Sequence, residues 1–331
     1  MKSIIKNKRV LLAGTFMIAL ACVLGGCGRT VHQSYDDLRS AEAFRPVRTT
    51  SVSARTEEGF ASSLCLPLDL DQSAVSLSDK ETVAAGLFDL ADRSTVFGTK
   101  LTQRVYPAST TKIMTALVAL RHGDLQQKIT ISERAANPGA DAQRLVLDPG
   151  DTMTLDQALH YLMVFSANDV AIAIAENIGG SYDEFIKLMN DEAHSIGATQ
   201  SHFTNPHGLH DENHYTTAYD LYLILNEAMK SDAFREIVKC RDYNTTFVGS
   251  EGESKSIAVS ATDAYLTGET EAPEGVTVLG GKTGTTEPAG HCLVIMSQNE
   301  SGEEYISVVM KAESLEDLYS DMNSLLAEIP N

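Results

Sequence analysis

Hydrophobic and polar positions divide the chain into stretches of different character. The first ten residues carry Lys2, Lys6, Lys8 and Arg9 with no acid, and residues 11–24 form a nearly unbroken apolar run. A basic start followed by a short apolar segment is the layout of a signal peptide, and the run falls short of the roughly 20 residues that a membrane-spanning helix needs. Residues 28–60 show neither the helical nor the two-residue period and read as a polar surface tether. Residues 83–97 look like a pair of strands with a polar turn at 89–94. The middle of the chain is helical in pattern. Thr154 and Gln157 form a capping box ahead of the apolar segment LDQALHYLMVFS. Residues 169–178 read as a buried helix stopped by Gly179 and Gly180. Ser181 and Glu184 open another helix, which ends at Gly197, and residues 217–230 place Leu221, Leu223, Leu225 and Met229 on an apolar side. Strand pattern returns at 256–260, 276–281, 291–297 and 305–310. Connections containing Gly284, Gly290 and Gly302 separate the last three, which predicts an antiparallel sheet. Ser314 caps a final helix, LEDLYSDMNSLLAEI.

Strand, helices, strands, helix is an α+β order, in which both chain ends build one sheet and an all-helical part is inserted between them. The expected division is residues 1–26 as the signal, 27–60 as a flexible tether and 61–331 as the folded domain, with the helical insertion at 135–240. Of the 331 residues 43% are hydrophobic, enough for a proper buried core. Loss of residues 1–26 would leave 22 Lys and Arg against 45 Asp and Glu, a formal charge of −23 in place of −19. So acidic a chain, without a basic cluster, is a poor partner for nucleic acid or anionic lipid.

Leu24-Gly25-Gly26-Cys27 resembles a bacterial lipobox, in which the cysteine is lipidated and becomes the mature N-terminus. That would make the protein exported and anchored by lipid at the outer face of the cytoplasmic membrane, where several acyl chains hold stably and one does not. The plainer alternative is a cleavage region with a spare thiol. Cys65, Cys240 and Cys292 remain, an odd number without CxxC spacing, which argues against a structural zinc. Cys240 and Cys292 are left open as a pair, against Cys292 as small apolar filler in a strand.

Candidate chemistry centres on Ser109-Thr110-Thr111-Lys112, which follows Pro107-Ala108 and precedes the apolar run 113–120. Pro107 makes a plausible helix start, and three-residue spacing puts Ser109 and Lys112 on one face. A serine hydroxyl needs a base to take its proton, and a lysine serves only when burial or a neighbouring cation keeps it neutral. The positive end of a helix favours the oxyanion of acyl transfer. Alone the pattern S-x-x-K is weak, since it appears by chance roughly once in a chain of this length. Ser166-Ala167-Asn168 at a helix junction and Lys282-Thr283-Gly284 further on sharpen it. The ordered set S-x-x-K, S-D-N, K-T-G belongs to penicillin-binding proteins and class A β-lactamases, and here the middle member lacks its Asp.

With these elements the chain resembles the low-molecular-mass penicillin-binding proteins, the serine-type D-alanyl-D-alanine carboxypeptidases. Tyr106 to Ala116 (YPASTTKIMTA) is similar to that family's nucleophile segment almost letter for letter. So are Ser166-Ala167-Asn168-Asp169, the segments FTNPHGL (203–209) and HYTTA (214–218), and GKTGTT (281–286) followed by Ala289-Gly290. The similarity covers residues 80–325. It implies a β-lactamase/D,D-peptidase-like fold, with an antiparallel sheet flanked by helices beside a helical subdomain and the site between them. It implies that Ser109 attacks the carbonyl of the penultimate D-Ala and that Lys112 is its base. Ser166 would relay a proton to the leaving amine, and Asn168 would orient Lys112 and hold the substrate backbone. Lys282 would supply positive charge for the substrate carboxylate, which Thr283 contacts, with Gly284 in the same motif. The N–H groups of Ser109 and Thr285 would form the oxyanion hole. The implied partners are stem peptides ending in D-Ala-D-Ala, β-lactams as inhibitors and a membrane through the lipid at Cys27; no cofactor, metal or nucleic acid is implied. His207, His210 and His214 near Asp211 could be drawn as a metal site, but they fall in a family loop that carries none. Well-known members have a β-rich second domain and a C-terminal amphipathic anchor; here the lipid would replace that anchor. His291, where an aromatic residue is expected, has no assigned role. A β-lactamase and a non-catalytic wall-binding lipoprotein are the competing readings. The first needs a carboxylate to place a deacylating water, and no such motif lies between Ser166 and Lys282.

Overall fold

The structure is a computed structural model that describes residues 64–70, 75–139 and 142–330. The signal segment, the tether and Cys27 lie outside the described residues. Five antiparallel strands form the main sheet in the order β2-β1-β9-β8-β7. They are β1 (Ala84–Asp89) and β2 (Ser94–Thr99) from the start of the domain, and β7 (Thr277–Thr286), β8 (Gly290–Gln298) and β9 (Glu304–Ala312) from its end. The register pairs Ala85 with Val309, so the two chain ends interlock in one sheet, and β7 joins it through pairs such as Lys282 with Val294.

Successive residues on these strands serve two cores. Ala84, Phe88, Val294, Met296, Ile306, Val308 and Met310 face the helical body. Ala85, Leu87, Leu293, Ile295 and Val309 face the last helix, α7 (Leu315–Leu326), through its Leu318, Met322 and Leu325. With both faces covered, each strand needs apolar side chains at every position, which is why β8 and β9 read as continuous apolar runs.

The remaining helices longer than one turn are α1 (Thr111–His122), α2 (Leu155–Val164), α3 (Asn168–Ile178), α4 (Tyr182–Ser195), α5 (Ala218–Ala228) and α6 (Asp232–Val238). The Thr154–Gln157 capping box is fully formed, and the side chains of Ser181, Thr217 and Ser314 each accept from a backbone N–H three residues on. Helix α5 departs from its expected one-sided pattern: Leu221 to Leu225 are all buried, because it is enclosed between α1 and the sheet.

Three strand expectations are corrected. Residues 254–260 (β6) do not join the main sheet; they belong to a second one, β3-β4-β5-β6, with β3 (Lys128–Thr130), β4 (Thr152–Thr154) and β5 (Asp242–Val248). Its two long strands keep only alternate residues half-buried, with Thr, Asn and Ser outward, and β3 and β4 are too short to show a period. The second correction is β7, which does not stop at Gly281 but runs through Thr286. The third is Gly284, which therefore lies in mid-strand opposite Cys292, not in a connection. All three described cysteines, Cys65, Cys240 and Cys292, are free thiols, and Cys292 is wholly buried in β8.

Candidate active site

The site is assembled where three separate segments meet at the start of α1. A 3₁₀ turn, Ala108–Thr110, leads into that helix, and Lys112 lies in its first turn. Lys112 Nζ donates to Asn168 Oδ1 at 2.7 Å and to the His207 carbonyl at 2.7 Å, and lies 3.0 Å from Ser109 Oγ. The side chain is fully buried. Burial first, and then the nearby positive charge of Lys282, lowers its pKa well below the ordinary lysine value, with Asp169 opposing. A neutral amine has a lone pair to accept the Ser109 proton.

Asn168 is the first residue of α3, and its backbone N–H donates to Gln143 O. Asp169 beside it accepts from the backbone N–H groups of Leu145, Val146 and Val170, and burial raises its pKa to about 6. Ser166 is buried at the junction of α2 and α3 with φ +66°, and Ala108 has φ +47°. Two non-glycine residues in the left-handed region, one on each side of the site, are strain that only surrounding structure can hold.

Ala108 is held by the loop that reads FTNPHGL. Its carbonyl accepts from the Thr111 hydroxyl at 2.8 Å. That hydroxyl also meets His214 Nε2 at 2.8 Å, and since its own proton goes to Ala108, the histidine must donate. His214 Nδ1 accepts from Thr204 N–H, which completes a neutral Nε2-protonated imidazole. Burial pushes the pKa of both His214 and His207 down to about 3, keeping them uncharged. Gly208, at φ +89°, passes so close that a Cβ there would lie 1.8 Å from the Ala108 carbonyl oxygen. Among the described residues no group of three or more His, Cys, Asp or Glu could hold a metal ion; the His207 ring accepts from Leu209 N–H at 3.1 Å and His214 is engaged as described.

The other wall is β7, an edge strand whose outer backbone groups stay open to an extended peptide. Gly284 has a physical reason to be glycine: a Cβ would lie 2.8 Å from Ser109 N and 3.0 Å from Thr110 N. Lys282 is buried, and its Nζ donates to Thr283 O at 3.1 Å and more loosely to Thr262 Oγ1 at 3.4 Å. Burial lowers its pKa to about 7 against the opposing charge of Asp263. Asp263 Oδ2 is buried without a hydrogen-bond partner, and burial raises that carboxyl to about 6. Thr283 Oγ1 pairs with Thr262 Oγ1 at 2.6 Å, and Thr285 Oγ1 with His291 Nδ1 at 3.1 Å. The structure thus brings Ser109, Lys112, Asn168 and Gly284 into one cluster, with Ser166 beside Asn168, while Lys282, Thr283 and Thr285 line the same strand. Thr111, His214, Gly208, Thr262 and Asp263 were not singled out from sequence for roles here. The only signal for the first three was that their segments share the family's wording.

A serine at a helix start, hydrogen-bonded to a buried lysine and backed by a glycine on an edge strand, is the arrangement of the S-x-x-K class of serine acyl-transfer proteins. A profile of the D-alanyl-D-alanine carboxypeptidase family matches residues 73–314. Among its relatives, D-alanyl-D-alanine carboxypeptidase DacF of Bacillus subtilis is 35% identical over 46% of this chain and 40% of its own length. DacA of Haemophilus influenzae is 32% identical over 63% of this chain and 51% of its own. The chain therefore spans about half the length of these curated relatives. The crystal structure of a Streptomyces DD-transpeptidase superimposes with a TM-score of 0.70 at 28% identity, covering 77% of this chain and 98% of that one. The chain belongs to the D-alanyl-D-alanine carboxypeptidase family, and its α+β architecture is the fold of that structure.

A methyl group at Gly208 has nowhere to go but into the carbonyl that holds the nucleophile turn. Gly208→Ala is expected to cost about 2 kcal/mol or more of stability, read as a lowered Tm in thermal unfolding. An unchanged Tm would show that the loop moves freely away from Ala108.

Proposed function

We propose that the protein is a serine D,D-carboxypeptidase that removes the terminal D-Ala from peptidoglycan stem pentapeptides and is acylated by penicillin. The observation that carries this is the 3.0 Å contact between a buried, charge-depleted Lys112 amine and Ser109 Oγ. Ser109 Oγ attacks the carbonyl carbon of the penultimate D-Ala as its proton passes to Lys112. The N–H groups of Ser109 and Thr285 receive the developing oxyanion. As the C–N bond breaks, the proton goes through Ser166 to the leaving D-Ala amine. Water then attacks the ester carbonyl, losing a proton to the same base, and the Ser109 hydroxyl is restored as the shortened peptide leaves. Lys282, with Thr283 and Thr262, holds the terminal carboxylate. A β-lactamase reading lacks its carboxylate base: Asp169 is engaged by three backbone N–H groups and Asp263 sits behind Lys282.

We further propose that residues 1–26 are a lipoprotein signal and that lipid on Cys27 holds the enzyme at the outer face of the cytoplasmic membrane. The support is the basic start, the short apolar run and Leu24-Gly25-Gly26-Cys27. Among the described residues no helix is long and apolar enough to cross a membrane.

Mass spectrometry after penicillin should find one adduct on Ser109 and none on Ser109→Ala, and the unaltered protein should release D-alanine from diacetyl-Lys-D-Ala-D-Ala. Loss of the base in Lys112→Ala should slow acylation by roughly 10²–10⁴. Full activity in either variant sinks the assignment. The pH dependence has a definite sign. Lys282 is cationic below its pKa and neutral above it, so kcat/KM should fall as pH rises through about 7 because the carboxylate loses its partner. In Lys282→Arg, always charged, that falling limb should disappear. For the anchor, the full chain expressed in bacteria should carry acyl mass and partition into detergent, whereas Cys27→Ser should not; equal partitioning of both would refute lipidation.

A further inference from the structure

The open edge of β7 gives a bound peptide a direction. With the terminal carboxylate at Lys282 and Thr283 and the scissile carbonyl at the Thr285 N–H, the upstream residues run past Thr286 towards the turn at Pro288. At about 3.3 Å per residue, the residue before the penultimate D-Ala lies opposite that turn. Pro288 is one lip of a cavity of about 370 Å³ that Arg104, Tyr106, Glu212, Tyr215 and Lys311 also line. Tyr106 is three residues ahead of Ser109 in the chain, so the cavity adjoins the start of the nucleophile turn.

The walls are held in place. Val105 and Thr216 exchange backbone hydrogen bonds at 2.9 Å, fixing the segment that carries Arg104 and Tyr106. The Arg104 guanidinium lies 4.3 Å above the Tyr215 ring, and Tyr106 meets His210 edge-on at 4.6 Å. Lys311 has φ +67°, a strained backbone for a lysine at the end of β9. Among the described residues none of Arg104, Lys311 and Glu212 enters an ion pair. In a chain with 45 acids and 26 bases, this cavity is lined by two cations and one acid, none of them in an ion pair, which makes it a two-sign site.

We infer that this cavity is the subsite for the third residue of the stem peptide and that it selects a diamino dicarboxylic acid there. The side-chain carboxylate of that residue meets Arg104 and Lys311, and its side-chain ammonium meets Glu212. An L-lysine ends in an ammonium alone, which satisfies Glu212 but leaves two cations facing a third. A volume of this size suits one long side chain, and aromatic walls at Tyr106 and Tyr215 cover its methylenes. This inference rests on the peptidase reading and deepens it.

Ser109→Ala protein binds without turnover, so calorimetry with two stem pentapeptides, differing only in meso-diaminopimelate or L-lysine at the third position, isolates the subsite. The diaminopimelate peptide is expected to bind about tenfold tighter or more. Adding Arg104→Ala and Lys311→Ala should bring the two peptides within about twofold of each other. Both side chains are exposed, and Lys311→Ala alone, which should close part of the gap, serves if the combined variant folds poorly. Equal affinities, binding of neither peptide, or a preference that survives loss of both cations overturns the inference. D-alanine release from both peptides by the unaltered enzyme judges the peptidase reading by itself, because release from neither would remove that reading while the binding comparison still decides the subsite.

Discussion

The burial of one amine governs the rest of the site. A lysine removed from water is costly as a cation unless paired, so the Lys112 environment pushes it towards neutrality. Yet its amine still needs hydrogen-bond partners. Asn168 from the start of α3, His207 O from the loop before α5 and Ser109 Oγ from its own turn supply them. Three segments far apart in the chain must therefore close on one nitrogen. The buried α3, the Thr204–Gly208 loop and the α1 start are each placed to do so.

Strain is concentrated around that nitrogen and held by ordinary packing elsewhere. Ala108 and Ser166 occupy the left-handed region, at a cost of order 1–3 kcal/mol each. Ala108 is kept there because Thr111 donates to its carbonyl, His214 donates to Thr111, and Gly208 leaves room for the carbonyl to point inward. The neutral state of His214 is part of this chain, since a second ring proton would face the Thr204 N–H donor. Turn, loop and histidine thus share one hydrogen-bond polarity.

The edge position of β7 links the site to its ligand. Gly284 lets the strand approach Ser109 N closely, and the next residue, Thr285, carries the N–H proposed for the developing oxyanion. His291, without a role on sequence grounds, lies opposite Thr285 on β8 and meets its hydroxyl. Thr262 does the same for Thr283 from outside the strand, and Asp263 balances the buried Lys282. An anion-binding groove can therefore exist in a chain whose formal charge is −19.

Much of the architecture was legible in the pattern of side chains. Strand-like apolar runs at both ends, capping residues at Thr154, Ser181 and Ser314, and helix stops at Gly179 follow from local backbone chemistry, which sequence encodes directly. The motif residues Ser109, Lys112, Ser166, Asn168 and Lys282 were legible because acyl transfer needs those side chains and their segments share a family's wording. The sequence was silent where geometry depends on distant contact. The second sheet was missed because β3 and β4 are three residues each and β5 presents polar side chains outward. Gly284 read as a turn because a glycine's close approach to another backbone looks, locally, the same as a bend. His214, Thr262 and Asp263 acquired meaning only from partners on other elements. By itself the sequence determined which side chains and local elements exist; tertiary structure decided which of them meet, because a buried amine, a strained carbonyl and an open strand edge take their partners from whatever packing brings near.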